Sequence, residues 1–379
     1  MLVLVLLSAL VWFGVLLVPW RPWSTRERIG AADEAAIPDE NDPSVTALIP
    51  ARDEAVVIER TLAGLGAQPI GLHVVLVDDQ STDGTADIAA KTLEENRLTI
   101  VRGEPLPPGW SGKLWALEQG SRHANTAHVL LLDADIELAP GILPALLRKM
   151  ESSNLDLVSV MAELRMVSFW EKLLVPAFVY FFKLLYPFSL ANNPRSRVAA
   201  AAGGCILLRA DALRQIGGFS AIRGALIDDC TLASRVKDRG GKIWLGLSHD
   251  VRSHRPYPDL ASLWNMVARN AFTQLRYSIG LLLLTTALML LVFWVPVAAV
   301  FFPLLKIQFI GLAALLAMGV AYIPTLRFHG RSIWWAPALP VIGALYLAMT
   351  WSSAFRYWFG KRSEWKGRIY GKEEATVHS

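Results

Sequence analysis

The sequence predicts an α/β protein with a Rossmann-like, mostly parallel sheet, joined to transmembrane α-helices. Strand-like and helix-like segments alternate from residue 45 to residue 132, which is the pattern of βαβ units. Residues 129–132 are branched or long and apolar without polar alternation, as expected of a strand buried on both faces. Of the 379 residues, 53% are hydrophobic, and long apolar segments gather near the C-terminus. Part of the chain is therefore expected to lie in a membrane.

Charge and cysteine content exclude several classes of protein. The formal net charge is only +4, and the basic residues lie near apolar segments. We interpret them as charge flanking a membrane, with no nucleic-acid partner. Cys205 and Cys230 are the only cysteines, too few for a disulfide framework or a zinc site. Neither G-x-G-x-x-G nor G-x-x-x-x-G-K-[ST] occurs, so dinucleotide-binding and P-loop proteins lack their phosphate cradles here.

The first element, at residues 1–22, is predicted to be a transmembrane anchor. The segment is apolar and uncharged up to Trp20, and three arginines follow shortly after it. No basic region precedes it, and no small-residue cleavage site follows it, which favours an uncleaved anchor over a signal peptide. The positive flank predicts that the following domain is cytoplasmic. Residues 23–43 are predicted to be a linker, because they include a polar, acidic stretch with two prolines.

A domain at residues 44–278 is predicted to hold the alternating elements. Apolar runs give its strands, and turn or cap residues give the starts of its helices. The predicted strands lie at 45–49, 72–77, 98–101 and 129–132, and the predicted helices at 54–65, 85–95, 113–124 and 229–238. A last helix is predicted to begin after Asp259 and to run to Tyr277.

Two carboxylates follow the fourth predicted strand, at Asp133 and Asp135. The carboxyl edge of an open α/β sheet is where such folds bind their ligands. Hard oxygen ligands at that edge suit Mg²⁺ or Mn²⁺, and such a cation usually completes its shell with phosphate oxygens. The motif therefore predicts a metal site for a phosphorylated substrate. A solvated acidic turn is the alternative for an isolated D-x-D motif.

Six sequence blocks resemble the family 2 glycosyltransferases of the GT-A fold, and they occur in the order expected of that family. The blocks are ALIPARDE (47–54), VLVDDQSTDGT (75–85), GKLWALEQG (112–120), LLDADIEL (131–138), GGF (217–219) and IDDCTLASRV (227–236). With its N-terminal anchor and apolar C-terminal third, the whole chain is similar to ceramide glucosyltransferases and most similar to the hopanoid-associated glycosyltransferases of bacteria. The resemblance implies a nucleotide-sugar donor, with the metal at Asp133 and Asp135.

The resemblance also implies which residues bind the donor. The loop that contains Pro50, Arg52 and Glu54 is expected to border the base, and Asp78 and Asp79 to hold the uracil or the ribose. In the family the first carboxylate of the D-x-D motif, here Asp133, lies near the ribose or the metal. Lys113 begins a helix after a glycine-rich loop, a position suited to a donor contact.

Asp228 and Asp229 precede a helix that Gly240 and Gly241 end. Alignment of Leu232 with the E-D-x-x-L pattern of the family implies that Asp229 is the general base and that Asp228 replaces a glutamate. Inverting transfer needs one carboxylate within hydrogen-bond reach of the acceptor hydroxyl. A pair of helix-capping carboxylates is the alternative interpretation.

Arg269 and Arg276 are predicted to lie on one polar face of the helix that follows Asp259. Two guanidinium groups seven residues apart could bind a diphosphate bidentately. Membrane members of the family carry Q-x-x-R-W here, and Arg276 matches its arginine, whereas Thr273 and Tyr277 replace Gln and Trp. That replacement disfavours the stacking site of processive synthases. Anchoring to anionic lipid headgroups is the alternative.

Several further segments concern the membrane. Residues 167–188 are apolar and aromatic but carry Glu171, Lys172 and Lys183, which predicts an interfacial helix. Residues 279–355 are predicted to hold transmembrane helices, and residues 356–379 form a basic tail. One anchor and three spans would place that tail outside the cell, whereas its basic residues favour the inside, and a re-entrant last segment is the other possibility.

The sequence thus predicts a multi-pass protein of the plasma membrane, the inner membrane of bacteria, with a cytoplasmic catalytic domain. Its expected activity is the inverting transfer of one sugar, from a donor expected to be UDP-linked, to a hydroxyl of a membrane lipid such as a hopanoid. A polyprenyl-phosphate glycosyltransferase and a processive polysaccharide synthase are the alternative enzymes. A nucleotide-sugar-binding membrane scaffold is the alternative without catalysis.

Overall fold

The computed structural model describes residues 1–33, 45–360, 364–365 and 368–369, which form two compact units. The sheet unit contains the described residues of 27–165 and 190–256, and the helical unit contains residues 1–26, 166–189 and 257–360. Much of the predicted linker at 23–43 and of the predicted basic tail at 356–379 lies outside the described residues.

The sheet unit contains one mixed sheet, and its described strands follow the order β3-β2-β1-β4-β7-β6-β8-β5. Strands β1 to β4 pair in parallel, as β6 and β8 do, whereas β7 runs antiparallel to β4 and β6, and β5 antiparallel to β8. The predicted mostly parallel α/β sheet is confirmed. The strands are β1 (Val45–Ala51), β2 (Leu72–Asp78), β3 (Leu98–Arg102), β4 (His128–Leu132), β5 (Ile136–Leu138), β6 (Leu157–Leu164), β7 (Cys205–Arg209) and β8 (Ile243–Ser253). Two further strands, β9 (Glu364–Trp365) and β10 (Arg368–Ile369), pair with each other.

The helices divide between the two units. The helices α2 to α5, α8 and α9 belong to the sheet unit, and α1, α6 and α10 to α14 belong to the helical unit. In chain order they are α1 (Leu2–Leu17), α2 (Ile58–Gly66), α3 (Thr85–Thr92), α4 (Gly112–Ser121), α5 (Ile142–Ser152), α6 (Phe169–Leu185), α7 (Phe188–Ala191), α8 (Ala210–Gln215), α9 (Asp228–Asp238), α10 (Leu260–Gln274), α11 (Ile279–Met289), α12 (Val295–Val300), α13 (Leu305–Phe328) and α14 (Leu339–Trp358).

The core of the sheet unit lies on both faces of the sheet. One buried cluster joins the sheet to α2 and α5, and another joins it to α4, α8 and α9. Every residue of β1 and β4 is buried, which explains their uninterrupted apolar sequence. Each fully buried aliphatic side chain contributes about 1.5–3 kcal/mol, so these layers fix the sheet edge that carries the polar residues.

The predicted strands are present, with boundaries that differ by one or two residues. Strand β1 continues through Pro50 to Ala51, where the prediction ended at residue 49. Proline near the end of a strand costs one N–H donor but keeps φ compatible with a strand. The helix predicted from residue 54 begins at Ile58, because Asp53 adopts a left-handed φ of 50° and a turn follows it.

The helical unit contains three helices long and apolar enough to cross a membrane, among the residues that the structure describes. They are Ile279–Val300, Leu305–Phe328 and Ile333–Trp358. The first is interrupted by a π-helical turn at Leu290–Trp294, and the third begins with a 3₁₀ turn. Helix α1 is apolar but has only 16 residues, shorter than the roughly 20 residues that a span usually needs.

Helix α6 corresponds to the predicted interfacial helix, and it belongs by its contacts to the helical unit instead of the predicted 44–278 domain. Ser168 and Glu171 form a capping box at its start. Its aromatic residues pack on other helices of the unit: the ring centroids of Tyr180 and Tyr322 lie 5.1 Å apart, and those of Phe181 and Tyr346 lie 5.0 Å apart. Much of the aromatic surface assigned to the bilayer interface is therefore packed against helices.

The prediction that Arg269 and Arg276 share one helical face is wrong. Helix α10 ends at Gln274, and Arg276 and Tyr277 have left-handed φ angles of 51° and 56°. The ring of Tyr277 stacks on Tyr357 with centroids 4.5 Å apart, which stabilises this termination. Arg276 consequently projects from the turn after the helix, out of the periodicity that the prediction assumed.

Candidate functional site

The carboxyl ends of β1 and β2 hold the first group of predicted donor-binding residues. Asp79 follows β2 and is 1% exposed, and its backbone N–H donates to the carbonyl of Ala51 at 2.8 Å. The Arg52 guanidinium donates to the Asp79 carbonyl at 2.7 Å and lies 3.8 Å from its carboxylate. Pro50 is buried in β1, and Asp78 ends β2. A Cβ on Gly103 would lie 3.0 Å from the Asp79 Cα, so the close approach of the next strand requires glycine there.

Side chains connect the loops that follow β1 and β2. Asp53 accepts a hydrogen bond from the Thr82 N–H at 2.8 Å, and its own N–H donates to the Ser81 hydroxyl at 3.0 Å. The Glu54 N–H donates to the Thr85 hydroxyl at 2.9 Å. These contacts hold the two loops at fixed positions beside Asp79, which orders one end of the sheet edge.

Lys113 joins the other predicted residues. Its Nζ lies 2.7 Å from the Asp133 carboxylate and 3.6 Å from the Asp228 carboxylate, and it donates to the Gly203 carbonyl at 3.4 Å. Burial opposes the charge of this ammonium group, but Asp133 and Asp228 raise the pKa of Lys113 well above its usual value. The structure therefore brings residues from α4, the loop after β4 and the start of α9 into one ion cluster. We name Lys113, Asp133, Asp228 and Asp229 the base-side cluster.

The surroundings of Asp229 favour the neutral form of its carboxyl group. Burial, followed by repulsion from Asp228, raises the pKa of Asp229 to about 7, although the Cys230 N–H donates to it at 2.7 Å. A Cβ on Gly203 would lie 3.1 Å from the Asp229 carboxylate, so glycine leaves the room this side chain occupies. Such a carboxyl group can accept and release a proton near neutral pH, which suits general-base chemistry.

Asp135 belongs to a second ion cluster, formed with Arg255 and Glu54, which we name the metal-side cluster. Arg255 Nη2 lies 3.0 Å from the Asp135 carboxylate and 2.8 Å from the Glu54 carboxylate. The Ser253 hydroxyl donates to the other Asp135 oxygen at 2.5 Å. Burial opposes the charge on Arg255, but Asp135 and Glu54 raise the pKa of Arg255 above its usual range. The side chain of Asp135 is only 8% exposed.

The donor set fits a divalent cation that takes few protein ligands. Asp133 and Asp135 provide hard carboxylate oxygens two residues apart, and each is now paired with a cationic side chain. Among the described residues, His, Cys, Asp and Glu side chains form no group of three or more that could hold a metal ion. Mg²⁺ and Mn²⁺ sites commonly contain one or two carboxylates and complete the coordination shell with phosphate oxygens and water. Because Arg255 contacts one oxygen of Asp135, a cation bound to that oxygen would compete with the guanidinium group.

Sequence reasoning missed Arg255, Ser253 and the role of Gly203. Arg255 lies 120 residues from Asp135 in the chain, and an arginine after a strand has no local pattern that marks it as a partner. Asp135 follows the end of β4, and Arg255 follows Ser253, the last residue of β8. This shared position just after a strand was the available signal. Arg269 and Arg276 lie in the helical unit, and their predicted donor contact stays a prediction.

The sheet and its acidic edge define a GT-A-like α/β domain, and the comparisons with known proteins name the family. A family model described as "Glycosyltransferase like family 2" matches residues 43–273, and the chain belongs to this family. The 4,4'-diaponeurosporenoate glycosyltransferase of Staphylococcus aureus (strain bovine RF122 / ET3-1) is 33% identical over 96 residues, 25% of each chain. The protein of the same name from Staphylococcus haemolyticus is 29% identical over 107 residues, 26% of each chain. The chain thus spans about a quarter of the length of these curated relatives.

One similar structure covers almost the whole chain. It is the mannosyltransferase PcManGT from Pyrobaculum calidifontis in complex with GDP-Man and Mn²⁺, with a TM-score of 0.56 and 19% identity. The match covers 95% of this chain and 99% of that chain. At this identity the likeness shows that the fold is shared.

Proposed function

We propose that this chain transfers one sugar from a nucleotide-sugar donor, UDP-linked, to a hydroxyl group of a membrane lipid, with inversion at the anomeric carbon. The observation that carries the proposal is the placement of Asp229, a carboxyl group with a pKa of about 7, beside the Lys113–Asp133 ion pair at the sheet edge. A proton acceptor next to a site suited to a diphosphate is what inverting transfer requires.

Asp229 acts in this proposal as the general base. It accepts the proton of the acceptor hydroxyl while the oxygen attacks the anomeric carbon from the side opposite to the leaving diphosphate. Burial and, after it, repulsion from Asp228 at the start of α9 raise the pKa of Asp229, which keeps the base near the proton affinity that efficient transfer needs. Both carboxylates lie in the first turn of α9, where the helix dipole favours negative charge and partly offsets the burial and repulsion that raise the pKa of Asp229.

Lys113 is proposed to interact with the carboxylates of the site before the donor binds and with the leaving diphosphate afterwards. Its ammonium group neutralises Asp133 and Asp228 in the unliganded protein, at 2.7 Å and 3.6 Å. With a donor bound, the same charge is available to the diphosphate that accumulates negative charge as the glycosidic bond breaks. Asp133 and Asp135 would hold Mg²⁺ or Mn²⁺, which supplies electrostatic stabilisation of that leaving group when bound.

The base and ribose of the donor are assigned to the connected loops after β1 and β2. Asp79 is buried and fixed by Arg52, so its carboxylate has a defined position for a ribose hydroxyl or a ring N–H. Pro50, Arg52, Glu54 and Asp78 border the same edge.

A membrane lipid is proposed as the acceptor because three helices are long and apolar enough to span a bilayer. The curated relatives are named for 4,4'-diaponeurosporenoate, which supports a lipid-like acceptor. Among such lipids we propose a hopanoid, because the whole chain, with its N-terminal anchor and apolar C-terminal third, resembles the hopanoid-associated glycosyltransferases. We further propose a multi-pass protein of the bacterial inner membrane with its catalytic domain in the cytoplasm, on the basis of the arginines after residue 20.

The test is transfer of labelled sugar into lipid. Membranes containing the protein are incubated separately with radiolabelled UDP-glucose, UDP-N-acetylglucosamine and GDP-mannose, with Mn²⁺ or Mg²⁺, and the lipid extract is separated by chromatography. With a UDP-sugar as donor, we expect a labelled lipid product. This product should be stable to mild acid, as a glycoside of an alcohol is. Label only in an acid-labile product would indicate transfer to a phosphate, and label in none would contradict the proposal.

A further inference from the structure

The helical unit contains a wide groove between α14 and the segment formed by α11 and the π-helical turn. Its volume is about 750 Å³, which falls within the roughly 300–1,000 Å³ of typical ligand sites. Apart from Ser352 and Arg356, the residues that line it are apolar, aromatic or glycine. The groove is distinct from the ion clusters of the sheet unit, since the residues that line it belong to the helical unit alone.

Small residues on one face of α14 create the space. Ala344, Ala348 and Ser352 recur every four residues and therefore line one stripe of the helix. Trp351 lies beside this stripe, and its indole N–H donates to the Thr286 hydroxyl at 3.0 Å, which fixes one wall of the groove to α11. A groove held open in this way by a hydrogen-bonded aromatic wall is pre-formed for a ligand.

The opposite wall depends on the π-helical turn, Leu290–Trp294. From α1, the Trp12 indole N–H donates to the Val292 carbonyl at 2.7 Å, and Trp12 is 2% exposed. This bond satisfies a carbonyl within the turn from outside the helix, and Leu290 and Trp294 of the same turn line the groove. Turns of this kind occur frequently at functional sites.

The two ends of the groove differ in polarity. At one end α14 approaches the π-helical turn closely, because a Cβ on Gly343 would lie 3.0 Å from the Phe293 ring. At the other end Arg356 donates to the Asn265 side chain at 2.6 Å. These ends are about 20 Å apart along the helix at 1.5 Å per residue. That length exceeds half of a hydrocarbon core of about 30 Å.

We infer that this groove binds the hydrocarbon tail of the lipid acceptor, with the polar headgroup at the Arg356 end. The inference rests on the proposed transfer to a membrane lipid and adds the site that selects it. An elongated, apolar, concave surface with one cationic end matches a single chain that carries one polar end. Because the lining segments are two of the candidate spans, the groove opens into hydrocarbon, where such a chain reaches it by lateral diffusion.

The decisive variant is Ala348→Phe, which fills the groove from an exposed position of α14, with Ala348→Leu as a milder form. Ala298→Phe is the matched control, because Ala298 is an exposed residue of α12 that does not line the groove. In liposomes we expect Ala348→Phe to raise the KM for lipid acceptor about tenfold, since a few methylene groups lose their burial. The KM for the nucleotide sugar should stay within about twofold in both variants, as expected of a site used by the acceptor alone.

Photolabelling separates this inference from the proposed function, because it needs no transfer. A long-chain fatty alcohol that carries a diazirine is added to liposomes, and the labelled peptides are identified by mass spectrometry. We expect label at residues 289–294 and 344–359 in the wild type and in Ala298→Phe, and its loss in Ala348→Phe. Equal labelling of the exposed face of α13, unchanged by Ala348→Phe, would mean ordinary surrounding lipid and would overturn the inference. A change of oligomeric state in Ala348→Phe would also overturn the inference, because it would mean that the groove binds a second copy of the chain.

Discussion

The two halves of the D-x-D motif lie two residues apart but belong to different electrostatic environments. Asp133 is 34% exposed and pairs with Lys113, whose ammonium group also reaches Asp228. Asp135 is 8% exposed and is held by a guanidinium group and a serine hydroxyl. Burial and repulsion from Asp135 raise the pKa of Asp133 despite its ion pair. The same motif therefore contributes one carboxylate to each of two ion clusters, Asp133 to the base-side cluster and Asp135 to the metal-side cluster.

The largest effect should come from the base-side cluster. Asp229→Asn keeps the shape of the side chain but removes the proton acceptor, and we expect transfer to fall about 10²- to 10⁴-fold. Binding of UDP, measured by calorimetry, should be nearly unchanged. Asp238→Asn is the control, since Asp238 is an exposed residue at the end of the same helix. Transfer by Asp229→Asn within about threefold of wild type would exclude a general-base role of this magnitude.

The metal-side cluster should govern the metal-dependent binding of UDP. Asp135→Ala deletes one carboxylate from a site with few protein ligands, so we expect the Mn²⁺-dependent part of UDP affinity to disappear. Calorimetry with and without Mn²⁺ measures this directly. Asp211→Ala, at an exposed ion pair of α8, should leave both affinities unchanged. Equal metal dependence in Asp135→Ala and wild type would show that the motif is only a turn.

The pH dependence of transfer should reflect the raised pKa of Asp229. The base is active when deprotonated, so kcat/KM for the acceptor should rise through pH 7 and be about tenfold lower at pH 6 than at pH 8. The contribution of Asp229 to the free energy of unfolding changes with pH in the opposite direction to kcat/KM. A carboxyl group whose pKa is raised from 3.8 to about 7 contributes stability at low pH, which is lost as the pH rises through 7. A profile that is flat from pH 5.5 to 8 would contradict the assignment.

Local patterns in the sequence predicted the first half of the sheet and the polar residues at its edge. Strands β1 to β4 were found because each is an apolar run that ends in polar or turn residues, and β7 then brings α9 near Asp133 through long-range pairing. That pairing has no local signal, so the proximity of Lys113 to Asp228 was not predicted. The end of α10 was missed for a related reason, since Tyr277 leaves the helix to stack on Tyr357, 80 residues away.

Arg255 provides the finest test of the difference between the two clusters. Its guanidinium occupies Asp135, so it competes with a cation and also neutralises Glu54. Arg255→Gln should therefore strengthen Mn²⁺ binding in the absence of donor by roughly three- to tenfold, a modest effect because the side chain is 35% exposed and solvent screens it. Manganese affinity is measured by electron paramagnetic resonance of the free ion. Arg252→Gln is the matched control, because Arg252 is an exposed arginine near the end of β8 that lies 3.9 Å from Glu163. Unchanged Mn²⁺ affinity in Arg255→Gln would mean that this arginine only packs the loop and that Asp135 does not exchange it for a cation.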